Sequence, residues 1–161
     1  MLELIGQLLV GFRNSYEDSA RAAAYARLGF SDTYYLAYRE LPAIIRNHVV
    51  GHRAVDFGCG SGRSTRFLRG LGFQITGIDI SAEMVDKARQ LDPDGDYRLV
   101  ADRDYTSLGA SCYDLVHSVF TSDNIPGRER RTILLRNLGS WLKEEGRGVM
   151  LDSTPELYGR D

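Results

Sequence analysis

The spacing of apolar positions changes near residue 50. Before it, "SYEDSARAAAYARLG" and "SDTYYLAYRELPAIIRNHVVG" repeat at helical intervals. Ser15, with Asp18 three residues on, caps the first, which stops at Gly29. Ser31 or Asp32 caps the second, which ends at Gly51, and Pro42 either kinks it or begins another helix. From Arg53 onward, short apolar runs alternate with amphipathic stretches. "RAVDF", "FQITGIDI", "YRLVA", "YDLVHSVF" and "RGVMLDS" have strand length and composition. Between them, "SGRSTRFLRGLG", "SAEMVDKARQL" and "GRERRTILLRNLGSWLKEEG" predict helices. Ser81 caps the second of these, with Met84 and Val85 facing inward. Ile133, Leu134, Leu138, Trp141 and Leu142 form the buried stripe of the third.

Strands that alternate with helices predict an α/β fold with a parallel sheet and right-handed crossovers. Ligands of such sheets bind beyond the carboxyl ends of the strands. The 161 residues suit one domain, with 1–50 as a helical N-terminal lid and 51–161 as the ligand-binding core. No internal repeat or low-complexity segment interrupts it.

Composition narrows the classes. An apolar content of 43% permits a sizeable core. A net charge of -2 without blocks of like charge argues against nucleic acid or a membrane surface as partner. The apolar runs are too short to span a bilayer, and "LIGQLLVGF" lacks the basic lead and cleavage site of a signal peptide. Cys59 and Cys112 have neither metal-ligand spacing nor a disulfide framework, which points to a cytoplasmic protein with reduced thiols.

The chemistry concentrates in "AVDFGCGSGRS", Ala54 to Ser64. A dinucleotide fingerprint, G-x-G-x-x-G, fits Gly58 and Gly60 but meets Arg63 at its third glycine. Asp56 would also repel a pyrophosphate at the end of the first strand. A P-loop needs a Gly-Lys pair that "GCGSGRST" lacks. A ligand carrying positive charge suits the aspartate, and S-adenosylmethionine is one.

"VDFGCGSG" resembles the first motif, D-x-G-x-G-x-G, of class I S-adenosylmethionine-dependent methyltransferases. "GIDIS" resembles their acidic second motif, with Asp79 placed 23 residues after Asp56. "VADRD" resembles the adenine-contacting turn, and "YDLVHSVFTSDNI" the fourth strand with its active-site loop. The resemblance covers about residues 50 to 152. It implies a Rossmann-like doubly wound sheet of strand order 3-2-1-4-5, helices on both faces, S-adenosylmethionine as cofactor and S-adenosylhomocysteine as product. Gly58, Gly60 and Gly62 would admit the methionine end to bare backbone. Asp56 would help hold the ammonium, directly or through water. Asp79 would accept from both ribose hydroxyls, and Ile80 would pack on the adenine. Asp102 would accept from the adenine amino group beside the Arg103 backbone. Ser118 and Phe120 would line the methyl-donor end, and Cys59, a small filler inside the loop, and Met84 complete the cofactor set.

The helical lead offers Tyr16, Tyr25 and Arg39 as residues that reach the donor, with Tyr34, Tyr35 and Tyr38 on adjoining faces. His117 reads as a core histidine. A general base is not assigned; Asp123, just past the fourth strand, is the nearest candidate, followed by Asp152 and Glu156. Such methyltransferases usually add two strands beyond the fifth, so the chain is expected to be a fragment whose fifth strand lies at an open edge, a route to homo-oligomers. The expected function is methyl transfer to a small-molecule acceptor. The alternative is a donor-binding or regulatory module without catalysis, or a fragment needing a partner.

Overall fold

The computed structural model describes residues 33–153, with the side chains of Thr33 and Tyr34 excepted. Helix α1 spans Thr33–Arg39 and α2 Leu41–His48, with Pro42 in the opening turn of α2. Proline there removes a donor that has no helical partner anyway, so it begins the second helix rather than kinking a single one. Then follow β1 (Arg53–Phe57), α3 (Arg63–Gly70), β2 (Gln74–Asp79), α4 (Ala82–Leu91), β3 (Asp96–Leu99), β4 (Tyr113–Val119), a 3-10 turn at Ser122–Asn124, α5 (Arg128–Trp141) and β5 (Leu142–Leu151).

All strand pairs are parallel, in the order β3-β2-β1-β4-β5. The Rossmann-like α/β sheet expected from the sequence is therefore the observed one. Its two faces bury different sets, because side chains alternate along each strand. On one face Ala54, Leu115 and Val119 meet Tyr38, Leu41 and Ile45 of α1 and α2 and Leu68 of α3. On the other, Val55, Ile78 and Val116 meet Leu134, Leu138 and Trp141 of α5. The α4 helix caps its N-terminus with Ser81, whose hydroxyl accepts from the Met84 amide at 3.3 Å.

Two expectations about the last third need correction. The segment "LKEEG" is not helical: α5 stops at Trp141 and β5 starts at Leu142. Trp141 is buried and its Nε1–H donates to the Tyr105 carbonyl at 2.8 Å, while its own carbonyl accepts from the Cys112 amide at 2.9 Å. Those two bonds draw the backbone out of the helix and onto β4. A register shift between Tyr113 and Leu115 absorbs the extra residues of β5. The second correction concerns Ile133, which was expected in the buried stripe but is 45% exposed.

Candidate functional site

The glycine loop leaves β1 and turns back under β2. Gly58 and Cys59 both donate their amides to the Ile78 carbonyl at 2.9 Å. Gly58, at φ 71°, and Gly62, at φ 81°, lie in the left-handed region. Each also stands where a side chain has no room. A Cβ on Gly58 would collide with Thr121, and one on Gly62 with the Tyr97 ring and hydroxyl. Tyr97 is itself held, since its hydroxyl donates to buried Asp92 at 2.8 Å, and Arg69 grips the same carboxylate at 2.6 Å. Burial and the neighbouring Asp92 push the Tyr97 phenol well up, so it stays a hydrogen-bond donor.

Asp79 ends β2 facing the loop. One carboxylate oxygen accepts from the Gly60 amide and the other from the Ser81 amide, both at 2.9 Å. Burial raises its pKa above the ordinary value; the amide hydrogen bonds from Ser81 and Gly60 oppose the rise without cancelling it. Each oxygen keeps further acceptor capacity, which suits a ligand that offers two hydroxyls.

A cleft opens in front of this carboxylate. Of the predicted residues, Gly58, Gly60, Asp79, Ile80, Met84, Asp102, Arg103 and Phe120 line it. Arg103 and Phe120 have φ 63° and 53°. Left-handed backbone is uncommon outside glycine, so these two turns aim side chains at the cleft against a local preference.

Five predicted positions do not line the cleft. Asp56 is fully buried on the α3 side of the sheet. Its Oδ2 accepts from Ser64 and Thr65 at 2.6 and 2.7 Å, and its Oδ1 lies 3.2 Å from His117 Nδ1. A carboxylate only accepts, so Nδ1 carries the proton of that bond. His117 Nε2 has no partner among the described residues. The carboxylate thus ties β1, β4 and the start of α3 together, and both of its oxygens are engaged by these side chains. Ser118 is also buried, on the α5 face of β4, whereas Phe120, past the strand's end at φ 53°, reaches the cleft. Cys59 packs against Val85, Ala88 and Tyr97, and desolvation, together with Asp79 and Asp56, raises its thiol well above the ordinary value, which makes it an inert filler. Gly62 turns the loop from behind. Arg39 is exposed and pairs with neighbouring Glu40 at 2.7 Å, whereas Tyr38 is buried against the edge of Phe67. Tyr16, Tyr25 and Glu156 lie outside the described residues.

The base candidates act as loop caps. Asp123 accepts from the Ser153 amide at 3.0 Å, and Asp152 accepts from the Ser122 hydroxyl at 2.6 Å. The two exchanges brace the end of β4 against the end of β5. Sequence reasoning took in Thr121, Asn124 and Ile125 only as part of the loop after β4 and missed Tyr105, Pro126, Arg130 and Ile133; all seven line the cleft. Nothing local distinguishes them; they meet there because the connections after β3 and β4 and the first turns of α5 converge above the sheet.

Residues 55–150 match the family model described as "Methyltransferase domain". The chain belongs to that family, and its sheet order and glycine loop are those of class I S-adenosylmethionine-dependent methyltransferases, whose cofactor is S-adenosylmethionine. It is 31% identical over 109 residues to malonyl-[acyl-carrier protein] O-methyltransferase of Pectobacterium atrosepticum, covering 65% of this chain and 42% of that protein. It is 30% identical over 114 residues to ubiquinone biosynthesis O-methyltransferase of Xanthomonas axonopodis pv. citri, covering 67% and 46%. The chain thus spans a little under half the length of these curated relatives. A TehB-like SAM-dependent methyltransferase from Corynebacterium glutamicum shares the fold at TM-score 0.63 and 22% identity, covering 83% of this chain and 73% of that one.

Proposed function

We propose that this chain binds S-adenosylmethionine in the cleft and transfers its methyl group to a small-molecule acceptor. The observation that carries this reading is Asp79, held by two backbone amides at the mouth of the glycine loop with acceptor capacity left over. The cleft fits the donor. Bare backbone at Gly58 and Gly60 admits the methionine end, Asp79 faces the ribose, and Ile80, Met84 and Val100 supply apolar wall for a neutral base. The donor, when bound, supplies an electrophilic methyl on a sulfonium. The residues bind and orient; in-line displacement needs acceptor and methyl held in near-attack geometry. Phe120 and Thr121, at the carboxyl end of β4, lie where the acceptor would enter. Asp56 serves as a brace for the loop rather than as a ligand.

Homo-oligomerisation through β5 belongs to the same proposal. The strand forms one edge of the described sheet, and Val149, Met150 and Leu151 are half-buried there. A single domain with residues 1–50 as a lid, and a cytoplasmic setting with Cys59 and Cys112 as free thiols, fit this reading. No helix among the described residues is long and apolar enough to cross a membrane. The second reading, a donor-binding module without turnover, has one observation in its favour: Asp123 and Asp152 are both engaged as caps.

Calorimetry with S-adenosylmethionine and S-adenosylhomocysteine tests the shared premise. Binding of both is expected, and folded protein that binds neither would sink both readings. Release of S-adenosylhomocysteine with an acceptor panel separates enzyme from module.

A further inference from the structure

We propose that the acceptor carries an oxyanion, a carboxylate or a phosphate, on an apolar body, and that Arg130 receives that oxyanion. The inference rests on the donor reading above and extends it to the class of acceptor. It starts from the charges in the cleft, where Asp79, Asp102, Asp104, Arg103 and Arg130 are the ionised side chains of the lining. All but one have partners. Asp79 is held by two amides. Asp104 accepts from the amide and hydroxyl of Thr106 at 3.0 and 2.9 Å. Asp102 and Arg103 approach to 3.5 Å. On the adjoining loops, Asp123 and Asp152 are taken by Ser153 and Ser122. Arg130 is the one lining charge whose side chain makes no ion pair or hydrogen bond among the described residues.

Fold stability does not explain it. Arg128, Arg130 and Arg131 crowd the first turn of α5, where the helix's own field disfavours cations and only Glu129 offsets them. Donor binding does not explain it either: the sulfonium and ammonium are cationic, adenine is neutral, and the donor reading puts the methionine carboxylate on the Gly58 and Gly60 backbone. What remains is the second substrate. Ile133 stands one turn after Arg130 on the same helix face, 45% exposed, and Ile125 and Pro126 continue that apolar wall. An apolar body on this wall brings a terminal oxyanion to the guanidinium, whose planar fork takes carboxylate or phosphate through two parallel hydrogen bonds.

The test titrates the full chain, saturated with S-adenosylhomocysteine, with phenyl phosphate, benzoate and uncharged benzyl alcohol by calorimetry. The expectation is that at least one of the two anions binds wild type and Arg131→Gln alike. That anion should bind Arg130→Gln about tenfold more weakly, and benzyl alcohol should bind wild type about tenfold more weakly than the anion does. Whichever anion binds identifies the oxyanion. The proposal falls alone if S-adenosylhomocysteine binds but neither anion does, if Arg130→Gln binds them as wild type does, or if benzyl alcohol matches them. Failure of S-adenosylhomocysteine itself to bind removes the donor reading and this inference together.

Discussion

The two ends of the cleft are built differently. At the proposed donor end the groups facing the cleft are bare glycine backbone and one fixed carboxylate, held from behind by buried side chains: Asp56 with Ser64, Thr65 and His117, and Tyr97 with Asp92 and Arg69. At the rim formed by the β4 connection and α5, the facing groups are exposed side chains, and the braces are loop caps at the surface. A ligand shared by a whole class calls for a rigid site whose parts cannot be exchanged singly. A ligand particular to one protein calls for side chains that can change without disturbing the fold. The contrast predicts that substitutions behind the donor end cost stability, whereas those at the rim leave it nearly intact.

The largest effect is expected at Asp56. Asp56→Ala strips the acceptor from two buried hydroxyls and a buried imidazole and should cost about 3–5 kcal/mol of unfolding free energy in a urea titration. Were Asp56 mainly a ligand for the donor ammonium, stability would barely change and donor affinity would collapse instead. Asp79→Ala should invert this pattern. Donor binding by calorimetry weakens by about 1.5–3 kcal/mol, from the lost hydrogen bonds to a charged acceptor, while stability changes less than in Asp56→Ala. Gly62→Ala should destabilise by about 1–3 kcal/mol, because the added carbon combines a left-handed backbone with the Tyr97 collision.

Acidity offers a further handle on Asp79. Its folded-state value is raised, so the folded protein holds that proton more tightly than the unfolded chain does. In the free protein this group's ionisation costs stability at neutral pH, and that cost disappears as pH falls through the raised value. Donor binding uses the ionised carboxylate, so affinity should fall over the same window, which begins above the ordinary aspartate value of 3.8. Donor affinity that holds flat down to that ordinary value, in protein shown to be folded, would count against Asp79 as the ribose partner. The smallest effect is expected at the rim. Asp123→Ala loses one exposed cap and should cost about 0.5–1 kcal/mol in the same urea titration. A large drop in turnover with the donor affinity unchanged would restore Asp123 as a base.

Much of the donor end was legible along the chain. Asp79 and the glycines are recognisable because the proposed backbone approach and ribose contact need those residue types at a strand-helix-strand interval. Asp56 was legible as a residue but not as a role, because only the pairing of β1 with β4 brings His117 beside it. Ser118 was misplaced because it lies inside β4, where both faces are covered, while the cleft is lined from the strand's end onward. The end of α5 was misread because "LKEEG" has ordinary helix formers, and a tertiary contact overrode their propensity.

The alternation of short apolar runs with amphipathic stretches determined the α/β class, and glycine spacing with two aspartates determined the donor class, because both depend on local periods and intervals. Tertiary structure alone decided that Trp141 ends its helix, that Asp56 turns inward, and that Arg130, Ile133 and Thr121 share one cleft. Those outcomes depend on which strands lie side by side and which loops converge, and no spacing along a single chain carries that information.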